Sequence, residues 1–247
     1  MNTEKLNCLD QNVAISTTSS KFGFISSQGL VTELSRHGLE LDKVVEMAIR
    51  KRKEERQGFQ KHKMLFNTGI ETKTGKLQML VTNSHEGSSA LKFQLGFYRY
   101  VCSNGLVVGK TIVNPMSIRH TLDNVSKLND TISMVMNQSS KVFESIEAMQ
   151  AKQWNAQQIA DFTDKALELR GYVKSKHGIL TPDFQAKRAD DRSTDVFTIF
   201  NVVQENLVRT GFKAYDSKGQ GHSIRAIKSL DEQNRINSEL WDLAAAA

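Results

Sequence analysis

Apolar and polar residues alternate along three consecutive stretches of the chain, which is the pattern of half-buried β-strands. The stretches cover residues 61–70, 76–85 and 90–102, and every second position within them is apolar or β-branched over most of their length. The connections "ETKTG" and "EGSS" are short and rich in turn-forming residues. Short polar connections between alternating strands predict an antiparallel meander.

Apolar spacings of three and four residues predict helices elsewhere in the chain. They occur in residues 41–49, 125–149, 159–173 and, as two C-terminal helices, within 194–243. The second segment predicts one continuous helix of about 40 Å at 1.5 Å per residue. Its short connection to the third predicts an antiparallel helical hairpin. A hairpin of this length either covers the sheet or meets another subunit.

Together these patterns predict an α+β protein, in which an antiparallel sheet of three to five strands packs with a long helical hairpin and C-terminal helices. Residues 1–20 are polar and without period, and predict a loosely ordered N-terminus. Residues 21–243 are predicted to form a single α+β domain. Within it, residues 60–120 are sheet-rich, 122–175 form the helical hairpin and 194–243 form the C-terminal helices.

The charge balance favours anionic partners. The chain of 247 residues has 33 Lys and Arg against 27 Asp and Glu, a net charge of +6 and a pI near 9.2. Nucleic acid is the first expectation, and an acidic protein or a membrane surface the second. No apolar run is long enough to span a membrane, and the N-terminus lacks an export signal, so a cytoplasmic protein without membrane contact is predicted. Two cysteines far apart in sequence predict no disulfide framework.

Three regions combine cations with aromatic residues or glycines, as surfaces that bind single strands do. They are the basic run at residues 50–63, the polar face of the third strand and the loop at residues 209–228. A solvated helix end, a covered sheet face and an ordinary surface loop are the respective alternatives. Arg99 falls on the apolar side of its strand, where a charge needs a partner or an opening. The candidate contacts are Arg50, Lys51, Arg52, Lys53, Lys92, Tyr98, Arg99, Tyr100, Lys213, Lys218 and Arg225.

No stretch has the spacing of a known catalytic or cofactor-binding motif, so we predict no catalytic residues, metal or cofactor. The stretch "CSNGLVVGKT" places only three residues between Gly105 and Gly109, where a phosphate-binding loop has four. A strand, an Asn-Gly turn and a second strand are predicted there instead. "NSHEG" predicts a turn, because adjacent side chains on a strand point in opposite directions. A metal nuclease that uses distant carboxylates, at residues 183, 190 and 191, is the open alternative.

Two segments have residues in the pattern of a known family. Residues 84–87 read Ser-His-Glu-Gly, and a second motif of the type Arg-x-x-Cys-Ser-Asn-Gly-Leu follows them on Arg99, Cys102, Ser103, Asn104, Gly105 and Leu106. A late helical segment adds Asn201, Gln204 and Glu205. In these motifs the chain resembles the phage/plasmid-like protein family, a family of unknown function found in phages, prophages and conjugative plasmids.

The resemblance extends from residue 60 onward and implies a mobile-element protein in the cytoplasm of a bacterial host. It implies no activity, since the family has no agreed one. The chain departs from many members after Glu205, where "ENLVRTG" replaces a Tyr-x-Asp/His pattern. Any family role for that position is therefore in doubt.

The expected function is binding of single-stranded DNA, with strand annealing in recombination as the finer expectation, by a protein that forms homo-oligomers. The alternative is a non-enzymatic interaction protein that inhibits a host defence or replication factor. The two differ in their partner, which is nucleic acid in the first case and one host protein in the second.

We expect the double substitution Lys51→Glu and Lys53→Glu to lower the affinity for a single-stranded oligonucleotide and to flatten its salt dependence. Removal of one phosphate-binding cation reduces the log–log salt slope by about 0.7. Fluorescence anisotropy at several salt concentrations measures both quantities. Unchanged binding would remove the basic run from the site.

Overall fold

The computed structural model describes residues 8–49, 51–100, 105–110, 112–121, 127–172 and 180–247, without the side chains of residues 51–53, 105 and 106. The chain divides into two compact units. The first comprises residues 1–105 and 113–139, and the second comprises residues 106–112 and 140–247. The single domain over residues 21–243 stays a prediction.

The first unit is built on an antiparallel sheet. Its strands are β1 (Glu40–Glu46), β2 (His62–Glu71), β3 (Gly75–Asn83) and β4 (Leu91–Arg99) in that order, with β6 (Met116–Ile118) also paired to β4. A short strand, β5 (Gly105–Val107), begins at the boundary between the units. The three strands predicted from alternation are confirmed, and so is the α+β class.

The core of the first unit lies on the face of the sheet that carries the apolar residues. Met79, Phe93 and Phe97 are at most 1% exposed there. Helix α1 (Ser27–Arg36) packs against β1, and helix α2 (Leu128–Met136) packs against β4 and β6. None of the apolar patterns described above predicts this helix over residues 27–36. The signals present there are the N-cap Ser26 and two buried leucines four residues apart.

The prediction of a helix over residues 41–49 is wrong, because this segment contains β1. Leu41 lies opposite Phe66 and Val44 lies opposite Met64, with an irregularity of the register between them. The extra residue of this bulge, Asp42, lengthens the spacing of core-facing residues from two to three. A spacing of three is also a helical spacing, and the bulged strand therefore resembles a helix in sequence.

The prediction of one helix over residues 125–149 is also wrong. The chain forms α2 and α3 (Ser139–Ala151), with a turn at Asn137 and Gln138. The amide of Gln138 donates to the carbonyl of Met134 and accepts from the N–H of Asn114, and these bonds hold the turn. The helical spacing of apolar residues continues on both sides of the turn because each helix buries one apolar face. Helix α2 buries it in the core of the first unit and α3 in that of the second.

The second unit has a helical core. Helix α4 (Ala156–Leu169) packs against α5 (Val196–Gln204) and against α6 (Leu230–Ala245), and α5 continues as a π-helical segment, Glu205–Thr210. Trp241 of α6 is fully buried, and its indole N–H donates to the hydroxyl of Ser145 at 3.1 Å. The three predicted helical segments 159–173, 195–208 and 229–244 are confirmed over the residues described. Val173 lies outside them.

A second antiparallel sheet completes this unit. Its strands are β7 (Thr181–Asp183), β8 (Phe212–Tyr215) and β9 (Gly221–Ile224), in the order β7-β8-β9. The prediction that residues 209–228 form a loop is therefore wrong for 212–215 and 221–224. Phe212 and Ala214 face the core and Lys213 and Tyr215 face solvent, which is strand alternation over only four residues. Within the described ranges, no helix is long and apolar enough to cross a membrane.

Candidate functional site

Four polar side chains, from α1, β2, the end of β3 and the turn after it, meet inside the first unit. Ser27, at the start of α1, has its hydroxyl 2.6 Å from Nε2 of His62 and 3.0 Å from Nε2 of His85. The amide of Asn83 donates to the same hydroxyl at 3.0 Å and to the carbonyl of Ile25. All four residues are 0% exposed. We call this group, Ser27, His62, Asn83 and His85, the Ser27 cluster.

The backbone fixes the direction of the hydrogen bonds in the Ser27 cluster. Nδ1 of His62 lies 2.9 Å from the carbonyl of Gln60 and donates to it, which leaves Nε2 of His62 as an acceptor. The Ser27 hydroxyl therefore donates to His62 and accepts from His85 and Asn83. One donated and two accepted bonds use the whole capacity of a hydroxyl. No lone pair of Ser27 remains for attack on a substrate.

Burial keeps the histidines neutral. It lowers the pKa of His62 and of His120, and it lowers the pKa of His85 from 6.5 to about 4, with the nearby His62 as a further cause. A serine next to a neutral histidine is the arrangement of a nucleophile and its base. Here the serine is fully hydrogen-bonded and shielded from solvent. The Ser27 cluster therefore joins α1 to β2 and β3 and is structural.

The predicted turn "NSHEG" has polar groups that bond to the protein around it. The Ser84 hydroxyl bonds that of Ser88, and the Glu86 carboxylate pairs with Arg56 at 2.5 Å. Gly87 has a φ of +72°, which L side chains rarely adopt. Among these described side chains, no bond links residues 84, 85 and 86 as a catalytic relay. The sequence does not reveal that Asn83 and His85, two positions apart, bond to Ser27, which also bonds to His62.

The Gly-Lys pair that resembles a phosphate-binding loop lies in the second unit, where it contacts a carboxylate. Asp242 of α6 accepts from the backbone N–H of Lys110 at 3.1 Å. A side chain at Gly109 would come within 2.0 Å of the same carboxylate. The position that an anion would take is thus filled by the protein. The predicted turn at Asn104 lies outside the described residues.

Three further groups, on Cys8, Glu205 and Asp191, are buried or ion-paired. Burial raises the pKa of the Cys8 thiol, so this cysteine is not a nucleophile. Glu205 forms a two-pronged ion pair with Arg188 at 2.8 and 2.9 Å, which holds the pKa of its carboxyl below the usual range. Among described residues, no three His, Cys, Asp or Glu side chains are grouped as metal ligands. Asp191, a candidate of the nuclease alternative, pairs with Arg188.

The predicted contacts in the first unit lie apart. Arg50 is outside the described residues, and Lys51, Arg52 and Lys53 lie in a 3₁₀ helix whose side chains are described only from Glu54 onward. Arg99 is only 7% exposed and offers no open surface. Lys92 is exposed, but it is six residues from Tyr98, a separation of about 20 Å along a strand.

The polar face of β4 is not an open platform for bases. Gln78 and Leu80 of the neighbouring β3, which share this face, are at most 4% exposed. The ring of Tyr98 has the Lys76 ammonium over it at 5.4 Å, and the Tyr100 hydroxyl donates to Glu71 at 2.7 Å. Lys76 thus lies over the ring of Tyr98, whereas the bond to Glu71 engages only the hydroxyl of Tyr100, which is 47% exposed. Their alternation away from the core is as predicted.

The predicted contacts in the second unit are brought together on the small sheet. Lys213 of β8, Lys218 of the turn and Arg225 just after β9 are all exposed. Tyr215 lies two residues from Lys213 on the outward face of β8 and is 40% exposed. We call this surface, with Lys213, Tyr215, Lys218 and Arg225, the β8–β9 face.

The ring of Tyr215 lies close to the backbone of the neighbouring strand β9. It lies opposite Gly221 in the strand register, and a Cβ added at Gly221 would lie 3.4 Å from the ring. Tyr215 belongs to the predicted basic loop but is not among the candidate contacts. The alternation in "FKAY", followed by the turn "DSKG", is the signal that could have identified it.

A family model described as "Domain of unknown function (DUF932)" matches residues 14–241. The chain belongs to the DUF932 family. This confirms the resemblance at the level of a family of unknown function. The matched residues include the Ser27 cluster and the β8–β9 face, since the match covers both units.

Two relatives of this DUF932 protein come from Escherichia coli (strain K12). The UPF0380 protein YafZ is 30% identical over 179 residues, which are 70% of this chain and 64% of YafZ. The UPF0380 protein YfjQ is 27% identical over 231 residues, which are 92% of this chain and 82% of YfjQ. The matched region thus spans less than two thirds of YafZ. No solved structure matches the chain.

We predict that Ser27→Ala lowers the free energy of unfolding by about 3 kcal/mol, because it leaves buried groups of His62, His85 and Asn83 without partners. Chemical denaturation measures the change. The matched control is the neighbouring Ser26→Ala, which removes only the N-cap bond to Gly29 and costs about 1 kcal/mol. Equal losses in the two variants would contradict the role assigned to the cluster.

We also predict that stability falls as the pH drops below 6.5. The folded-state pKa values of the buried histidines lie below the unfolded value, so the unfolded chain binds more protons in this window. The free energy of unfolding should decrease by at least about 1.4 kcal/mol per pH unit below pH 6. The window from pH 6.5 to 5 lies above the range in which most carboxylates titrate.

The pH dependence is checked by denaturant unfolding at intervals between pH 8 and 4. His85→Asn should reduce the slope, because the folded-state pKa of His85 lies below its unfolded value. A slope that is the same in wild type and His85→Asn would show that His85 does not titrate with folding.

Proposed function

We propose that this DUF932 protein binds single-stranded nucleic acid, DNA in particular, through the β8–β9 face. The observation that carries the proposal is the Tyr215 ring, which lies opposite Gly221, where a Cβ would come within 3.4 Å of it, and is 40% exposed. Aromatic rings held open on a sheet are the groups on which unpaired bases stack, and such stacking tolerates any base sequence. A duplex keeps its bases paired and stacked within the helix, so the same ring favours single strands.

Cations around Tyr215 suit the phosphates on either side of a stacked base. Lys213 is two residues away on the same face, Lys218 is in the adjoining turn and Arg225 follows β9. Asp183 lies opposite Lys213 in the register of β7 and offsets part of this charge. Asp216 bonds the turn backbone and lies 3.3 Å from Nε2 of His222. The cations thus outnumber the carboxylates that face a ligand.

The proposal includes the setting that the sequence motifs imply. We place the protein among those of phages, prophages or conjugative plasmids, acting in the bacterial cytoplasm. A sequence-tolerant surface with few contacts per copy gains affinity when copies assemble along one strand. Annealing of complementary strands is the activity that we expect of such an assembly, since the bases stay accessible at their pairing edges.

We predict that Tyr215→Ala weakens binding of a labelled oligothymidine by about 5- to 150-fold, the range for loss of one stacked base. Tyr215→Phe should bind as the wild type does, because it keeps the ring. Lys213→Ala should lower the log–log salt slope by about 0.7. Fluorescence anisotropy at several salt concentrations, with a duplex of the same length for comparison, gives both quantities.

The matched control is Tyr100→Ala, which removes the other tyrosine that is strongly exposed among described residues. Its hydroxyl is bonded to Glu71 in the first unit, and its loss should leave the affinity unchanged. Equal losses for Tyr215→Ala and Tyr100→Ala would contradict the assignment of the face. Absence of oligonucleotide binding at low salt would overturn the proposal, and a partner protein would become the leading candidate.

A further inference from the structure

Strand β9 forms an open edge of the small sheet. It is the last strand in the order β7-β8-β9, and its residues Gly221, His222 and Ser223 are exposed. An edge strand presents backbone N–H and C=O groups that can pair with a further strand. We propose that this edge binds an extended, acidic peptide segment of a partner protein as a fourth strand.

The register shows which backbone groups point outward. The N–H of Asp216 donates to the carbonyl of Gln220, which closes the hairpin with a hydrogen-bonded pair. Such pairs recur at every second position, so Ala214 pairs with His222 and Phe212 with Ile224. The backbone groups of Gly221 and Ser223 therefore point away from β8. Within the described part of the chain, neither residue has a hydrogen bond on that side.

Charge determines which kind of strand fits this edge. Lys213 lies opposite Ser223 in the register, Lys218 is in the turn before β9 and Arg225 follows β9, and no carboxylate stands on β9 itself. A second copy of the chain would bring the same cations against them, so pairing of two identical edges is opposed by repulsion. A strand with Asp or Glu at alternate positions would place its carboxylates beside these cations. Backbone bonds then give affinity, and the alternate side chains give specificity.

The peptide edge and the β8–β9 face are different surfaces of one hairpin. The edge uses the backbone of Gly221 and Ser223, whereas the face uses the ring of Tyr215. The inference does not rest on nucleic-acid binding, since either surface can be removed without the other. The shared cations predict that peptide and oligonucleotide weaken each other's binding.

The test uses a labelled ten-residue peptide in which Glu alternates with Val or Thr, titrated against the full chain by fluorescence anisotropy. A second peptide has the same sequence with its alternate backbone amides N-methylated, so its charge is kept and its edge bonds are blocked. We expect the parent peptide to bind at least ten-fold more tightly than the methylated one. Hydrogen exchange at Gly221 and Ser223 should slow only in the presence of the parent peptide.

Variants separate this site from the nucleic-acid face. Ser223→Pro removes an outward N–H and should weaken the parent peptide at least ten-fold, with less than a two-fold change for oligothymidine. Tyr215→Ala should do the reverse. Equal binding of the two peptides would show attraction by charge alone and overturn the inference. So would no binding of the parent peptide, or unchanged exchange at Gly221 and Ser223.

Discussion

The hydroxyl of Ser27 has three hydrogen-bond partners, on His62, Asn83 and His85. All three residues are buried, so none of them can bond to solvent water instead. These three hydrogen bonds fix the position of the start of α1, because Ser27 is the first residue of that helix. They also align the ends of β2 and β3, which contribute His62 and Asn83. A buried polar group without a partner costs about 1–3 kcal/mol, so loss of the Ser27 hydroxyl, the shared partner of the other three residues, would destabilise the unit.

The second unit uses a partly buried ion pair and a buried amide for a similar purpose. The carboxylate of Glu205 binds the guanidinium of Arg188, and the amide of Asn206 bonds the backbone of Gln185 in both directions. Both residues lie where α5 widens into its π-helical segment. They hold the chain that leads out of β7, and Phe184 there packs against Phe212 of β8. The helical core thus supports the small sheet.

This support gives the hairpin two separate chemical surfaces. Phe212, Ala214 and Ile224 are buried against the unit, so the opposite face is turned to solvent with Tyr215 and Lys213. The position of β9 at the end of the sheet exposes its backbone as well. Groups on a supported strand are held in place before a ligand arrives, which lowers the entropic cost of binding. The Ser27 cluster, although richer in reactive residue types, has no open side.

The three central strands, the α+β class and most of the helices could be predicted from the sequence, because their period of apolar residues extends over many positions. Prediction from the sequence failed where a local feature altered that period. The bulge at Asp42 gave a strand a helical spacing, and the turn at Asn137 interrupted a seam that continues in sequence. The four-residue alternation of β8 was too short to stand out from a basic loop.

Only the tertiary structure decided which polar residues meet. Ser27 is separated by 35 residues from His62 and by 58 from His85, and no local pattern links residues so far apart. The same holds for Lys110 and Asp242, whose contact fills the place of a phosphate. The sequence identified the cations near residues 213–225, since charge is a property of composition. Their arrangement around an exposed ring and an open strand edge depends on strand pairing, which is decided by contacts between distant residues.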